Sequence, residues 1–294
     1  MTKQNNKEFI LALGGGGGRG LTHLGVLKAL EEQGLKPAAI VGTSIGALFG
    51  TMYGLYNDID SVISRVVKVL NSDDFKHLKI PHLINTDTVD HTWLSKITAA
   101  ARESVLYAHA ASGIALTDTK ALQDIVEHLC QSNTFSDLQI PVFITSVCFP
   151  SGEIEIFSNG NLTQSLIASM AIPGIFEPVN INGKDYVDGG VACELPAREA
   201  KKLASAQQLV VAVDVGTRPN PEIKPSSVFG ILDWSVHIKS MYLRQYKSKS
   251  ADILIETMPG FRQWSDFTHA HEEIEHGRKI ALQKIPHLIE LMKN

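Results

Sequence analysis

Two short segments carry residue types that can do covalent chemistry. Gly42-Thr43-Ser44-Ile45-Gly46 reads G-x-S-x-G, and Gly14 to Gly18 is a run of five glycines followed by Arg19 and Gly20. A serine between glycines on a strand-to-helix turn is the pattern of a nucleophile elbow: the glycines relieve crowding while a strained backbone presents the hydroxyl at the carboxyl edge of a sheet. Taken alone, the same five residues also read as a helix N-cap on Thr43 or Ser44. The glycine run is costly, because each glycine loses more freedom on folding than any other residue. Something must approach this backbone so closely that side chains are excluded.

Three chemistries compete for the glycines. As a P-loop, Gly15 to Gly20 followed by Leu21-Thr22 has leucine in the lysine position, so the charge that would hold a phosphate is missing. As a dinucleotide fingerprint, Gly15-x-Gly17-x-x-Gly20 needs an acidic residue at the end of the next strand, and "AAIVGTS" has none. As an oxyanion hole, consecutive N–H groups at a helix start form a cradle for developing negative charge. That reading needs a nucleophile nearby, and Ser44 follows the very next strand. A base is also required. The best candidate is Asp188 in "YVDGG", followed by Gly189 and Gly190; an innocent Asp-Gly turn explains those residues locally just as well. The densest histidine group, "HAHEEIEH", places His271 and His276 five residues apart, about 140° around a helix, which is not zinc-binding HExxH geometry. His269, Glu273 and His276 could share one face as a fortuitous metal site, but the stretch reads better as a solvated amphipathic helix. His23, on the helix after the glycine loop, reads as structural.

The elements that must position these groups alternate between strand and helix. Phe9 to Leu13 reads as a buried strand, and residues 20–33 as a helix with Leu21, Leu24, Leu27 and Leu30 on one face and Gly34 as its stop. Ala38 to Val41 is a second strand, turning at Gly42-Thr43-Ser44 into a helix that runs to about Leu55. This βαβα unit predicts parallel strands with a right-handed crossover, and hence both loops at one sheet edge. Residues 58–130 read as a mostly helical insertion or cap. Ile140 to Phe149 is a buried strand and "GEIEIFS" a half-exposed one. "VNINGKDYVDGG" is a hairpin turning on Asn182-Gly183, and "QLVVAVDV" and "ADILIETMP" are further strands. The expected architecture is one α/β domain: a mostly parallel central sheet sandwiched by helices.

With the elements placed, "LALGGGGGRGLTHLGVLKALEEQGL", "IVGTSIGAL" and "ASMAIPGIFEPVNINGKDYVDGGVACELP" resemble the successive signature blocks of the patatin-like phospholipases, in particular their short bacterial members. The resemblance runs from about Phe9 to Leu203, and residues 204–294 are expected to complete the same domain. It implies a lipid acyl hydrolase on a patatin-like, modified α/β-hydrolase-like fold, with a Ser-Asp dyad and no catalytic histidine. Ser44 would be the nucleophile, Asp188 the general base, and Gly15, Gly16, Gly17, Gly18, Arg19 and Gly20 the oxyanion loop. Gly42, Thr43, Ile45 and Gly46 would form the elbow, and Gly189 and Gly190 the Asp-Gly-Gly motif. Two residues depart from the family pattern: Gly18 stands where alanine is usual, and Ile45 where alanine usually follows the serine. The first adds slack to the loop and the second adds bulk beside the nucleophile, and both could narrow the substrate range. Two rivals stay open: a Ser-His-Asp esterase or acyltransferase, and a non-catalytic lipid- or protein-binding adaptor on the same fold.

Composition limits the alternatives. The 294 residues are 44% hydrophobic, and 27 Lys and Arg against 31 Asp and Glu leave a slightly negative chain, unsuited to coating nucleic acid. Cys130, Cys148 and Cys193 are odd in number and far apart, which implies neither a disulfide framework nor a zinc site and suits a reducing cytosol. The start, "MTKQNNKEF", lacks the pattern of a signal peptide. Ala38 to Tyr56 carries no charge over nearly a membrane-spanning length. Its four glycines and Gly-Thr-Ser turn favour a buried strand-turn-helix instead. The expected protein is therefore cytoplasmic, at most peripheral to the inner membrane surface. It would take a lipid or acyl-ester substrate and need no metal or organic cofactor; its oligomeric state is not legible.

Overall fold

The computed structural model describes residues 7–72, 115–222, 224–258 and 266–294. β1 (Glu8–Leu13) is apolar after its first residue because it lies between two parallel neighbours. A strand buried on both faces reads as a continuous apolar run rather than an alternating one. A short 3-10 turn over Gly17–Gly20 leads into α1 (Leu21–Glu32), then β2 (Ala39–Thr43), α2 (Ile45–Tyr56) and α3 (Ile59–Leu70). Asp58 caps α3, its carboxylate accepting from the N–H groups of Asp60 and Ser61. The expected helical insertion falls largely on residues 73–114, outside the described residues. Its described ends are α3, the short strand β3 (Ala115–Thr117) and α4 (Lys120–Cys130).

The chain then forms β4 (Val142–Phe149), β5 (Ile154–Phe157), α5 (Leu162–Met170), β6 (Gly174–Phe176), β7 (Val179–Ile181) and β8 (Lys184–Asp188). The β7–β8 hairpin turns on Asn182 and Gly183 with φ of 54° and 82°, the two left-handed residues that a type I′ turn requires. Next come the short α6 (Gly190–Cys193), α7 (Ala197–Leu203), β9 (Gln208–Asp214), α8 (Val228–Ser248), β10 (Ile253–Glu256) and α9 (Ala270–Lys293).

The main sheet is ordered β10-β9-β1-β2-β4-β8-β7, with β5 also paired to β4. From β10 to β4 every pairing is parallel, and the pairings of β4 with β5 and β8 and of β7 with β8 are antiparallel. Alternation along β1 divides the core between two faces. Phe9, Leu11 and Leu13 join a large cluster with side chains of α1, α2, α5 and α9, whereas Ile10 and Ala12 join a smaller one with Ala197 and Ala200 of α7. The sheet is thus mixed, mostly parallel, and flanked by helices. The uncharged stretch from residue 38 to 56 is β2, the elbow and α2, and Ile45 to Gly54 is buried on every face of its helix, which accounts for a composition resembling that of a membrane span. Among the described residues no helix is long and apolar enough to cross a membrane.

Candidate active site

Register brings Ser44 and Asp188 together. Thr43, the last residue of β2, is paired with Thr145, and Asp188, the last residue of β8, is paired with Ser146, the next residue of β4. Because β2 runs parallel to β4 and β8 antiparallel, the carboxyl ends of β2 and β8 meet. The Ser44 hydroxyl donates to Asp188 Oδ2 at 2.8 Å. Asp188 Oδ1 accepts from the Gly190 N–H at 2.6 Å, so both carboxylate oxygens are held. Among the described residues, no histidine joins this pair.

The elbow is strained. Ser44 has φ 53° and ψ −122°, a region that residues with a Cβ rarely enter. Its neighbours have no room for side chains: a Cβ on Gly42 would strike the backbone of Ala47, and one on Gly46 the carbonyls of Leu13 and Gly14. Sequence reasoning missed a further support, Ser169 of α5. Its hydroxyl accepts from the Ser44 N–H at 2.8 Å and donates to the Thr145 carbonyl at 2.7 Å, fixing the strained turn to β4. The signal lay in the block "ASMAIPG", where only a serine or threonine could serve two backbone groups in this way. Thr43 adds a second tie, its hydroxyl donating to the Cys193 carbonyl at 2.7 Å.

The glycine loop lies beside the elbow because Leu13 is paired with Gly42, leaving the two strand ends level. Its N–H groups are not equivalent. Those of Gly14 and Gly15 donate to the carbonyls of Val213 and Glu194 at 3.1 and 2.8 Å. Those of Gly16, Gly17 and Gly18 sit at the open start of the 3-10 turn, without a protein acceptor among the described residues. Gly17 has φ 58°, a conformation that favours glycine. The Arg19 side chain turns back into the loop, donating to the Gly16 carbonyl at 3.1 Å and to the Thr217 hydroxyl at 2.8 Å.

Both departures from the family pattern have packing reasons. A Cβ on Gly18 would collide with the carbonyl of Asp266, so the alanine usual there does not fit this chain. Ile45 is buried, and its side chain occupies the space that a Cβ on Gly20 would need. Its bulk therefore fills the seam between loop and elbow. Gly189 packs against Thr145, whose carbonyl a Cβ would strike.

Electrostatics separate the two buried titratable groups nearest the chemistry. Burial raises the Asp188 pKa to about 7, against the opposing hydrogen bonds from Gly190 and Ser44. Burial drives His23 the other way, to about 4, and its Nε2 lies 2.8 Å from the Gly14 carbonyl. That carbonyl can only accept, so Nε2 carries the proton of a neutral imidazole. His23 thus props the start of the loop, as its position on α1 suggested. In the histidine group near the C-terminus, His276 Nε2 meets the Thr257 carbonyl at 2.6 Å and His269 faces Glu272 at 3.4 Å.

Comparisons with known proteins identify the family. The family model described as "Patatin-like phospholipase" matches residues 11–201. Lysophospholipase NTE1 of Saccharomyces cerevisiae is 32% identical over 209 residues, which is 70% of this chain and 11% of that protein. Patatin-like phospholipase domain-containing protein 6 of Mus musculus is 25% identical over 215 residues, 72% of this chain and 14% of that protein. The chain thus spans only a small part of the length of these curated relatives. The crystal structure of VipD from Legionella pneumophila has a similar fold, with a TM-score of 0.50 and 16% identity, covering 97% of this chain and 67% of that one. The chain belongs to the patatin-like phospholipase family.

Proposed function

We propose that the protein hydrolyses acyl esters of lipids through a Ser44-Asp188 dyad and an acyl-enzyme. The observation that carries this reading is the 2.8 Å hydrogen bond from a strained serine hydroxyl to a buried carboxylate. As Ser44 attacks the ester carbonyl, its proton passes to Asp188 Oδ2. The N–H groups of Gly16, Gly17 and Gly18 stabilise the oxyanion, and the proton is then delivered to the departing alkoxide. Water, deprotonated by the same carboxylate, releases the acyl group. An ordinary aspartate, with a pKa of about 3.9, is a feeble base for a hydroxyl, and the raised value at Asp188 brings it close to the working pH. The names of the relatives, lysophospholipase and patatin-like phospholipase, fit a lipid ester as substrate. A fluorophosphonate probe tests the reading directly. It should label the native protein once, on Ser44, with loss of activity toward a short-chain nitrophenyl ester; labelling elsewhere, or none, overturns it.

The part assigned to the loop has its own test. Gly17→Val adds a β-branched side chain at φ 58° and displaces an oxyanion donor. The expected cost is about 3–4 kcal/mol, roughly 10² to 10³ in turnover. It should fall on kcat, since these donors act more strongly on the transition state than on the bound ester. Gly17→Ala should show the same effect more weakly. In variants shown by circular dichroism to be folded, a pure KM effect would mean that the glycines only make room for substrate.

A further inference from the structure

The family match ends at residue 201, yet two of the groups that brace the glycine loop, Thr217 and Arg244, lie beyond it. Arg19 holds the Gly16 carbonyl and reaches the hydroxyl of Thr217. The Thr217 carbonyl in turn accepts from Arg244 Nη2 of α8 at 2.8 Å. The same guanidinium donates through Nη1 to Glu194 Oε1 at 3.1 Å and pairs through Nε with Asp214 at 3.2 Å. Glu194 is the residue whose backbone carbonyl accepts from the Gly15 N–H. Ser240, one turn before Arg244, also donates to the Glu194 carboxylate. Arg244 is 4% exposed, and a Cβ on Gly216 would run into its guanidinium, so the side chain is buried against the Gly216 backbone.

We propose that Arg244 is a positioning residue for the glycine loop, holding it at Gly15 through Glu194 and at Gly16 through Thr217 and Arg19. The inference rests on the hydrolase reading above and extends it to the C-terminal third of the chain. Consecutive glycines have no side chains with which to fix themselves, so their N–H groups are aimed only if neighbours hold the backbone. A planar guanidinium suits this role because it addresses a carbonyl and two carboxylates at once in fixed geometry, which an ammonium on a flexible stem cannot do. A buried ion cluster is weak evidence for stability, since apolar packing of equal volume often serves as well. Its value here lies in direction.

The test uses the full chain, a short-chain nitrophenyl ester, and the variants Arg244→Lys, Arg244→Met and Thr217→Val. Arg244→Lys and Arg244→Met should lower kcat by about tenfold to a hundredfold, the usual effect of a small misplacement of catalytic groups. KM should stay within about twofold, with the lysine variant the less affected. Thr217→Val keeps the side-chain volume and the backbone carbonyl and removes the hydroxyl that accepts from Arg19 and lies 3.2 Å from His237 Nε2. It decides the matter if Arg244→Met does not fold. Its loss in kcat should be smaller and less than additive with that of Gly17→Ala, because both act on the same donors. Native kcat in folded Arg244→Lys and Thr217→Val, even with a lowered melting temperature, overturns the proposal, as does full additivity with Gly17→Ala. A native protein without esterase activity, or one in which Ser44→Ala retains it, overturns the hydrolase reading itself.

Discussion

Ser44→Ala is expected to remove ester hydrolysis by roughly 10⁴-fold or more, the scale on which loss of a nucleophile acts in a serine hydrolase. The fold should hardly notice. Alanine keeps a Cβ at φ 53°, so the backbone strain at residue 44 persists. What is lost is one hydroxyl, leaving Asp188 Oδ2 without its donor. The Ser44 N–H keeps its bond to Ser169, which holds the elbow in place. Near-native melting combined with absent turnover is the result to look for in purified protein. Turnover within tenfold of the native enzyme would remove Ser44 from its role.

The second large effect concerns the base. Asp188→Asn is isosteric but can accept from only one of Ser44 and Gly190, and it cannot take the proton, so activity should fall nearly as far as with Ser44→Ala. In the native protein the active form is the carboxylate. Because burial places its pKa at about 7, log kcat/KM should rise with pH at unit slope below that value and level off above it. His269→Ala and His276→Ala should keep native activity within about threefold, on the scale that separates a bystander from a general base contributing 10²–10⁴. His23 stands apart, since its loss would unsettle the Gly14 carbonyl without removing a base. A histidine variant as damaged as Ser44→Ala would favour a triad, and a profile flat between pH 5 and about 8 would overturn a base titrating near 7.

Much of this site was legible in the sequence because it is built from local patterns. The βα units, the elbow and the Asn-Gly hairpin each lie within one short contiguous stretch, with glycines at the positions where backbone geometry demands them. What local pattern could not show was the head-to-head meeting of β2 and β8 on consecutive residues of β4, which depends on a register set across a hundred residues. Ser169 sat in a recognised block, but its part in the site emerges only once α5 is placed against the elbow. Glu194 lies at the end of a quoted block and Arg244 fifty residues further on, and only burial reveals them as partners. Ile45 looked obstructive from its size; its direction, into Gly20, belongs to the packing.

The opposite displacements of Asp188 and His23 also bear on how the fold itself tolerates acid. A carboxyl group with a native pKa near 7 instead of 3.8 holds a proton that the unfolded chain has already released, so its contribution to stability declines as pH rises across that window. An imidazole with a native pKa near 4 instead of 6.5 behaves in reverse: the unfolded chain takes up a proton that the native state refuses, and stability grows with pH between those values. Between about pH 4 and 6.5 the two contributions run in opposite directions. The buried Asp188 carboxyl and the buried His23 imidazole thus oppose one another through the weakly acidic range, where either alone would tilt the folding equilibrium further.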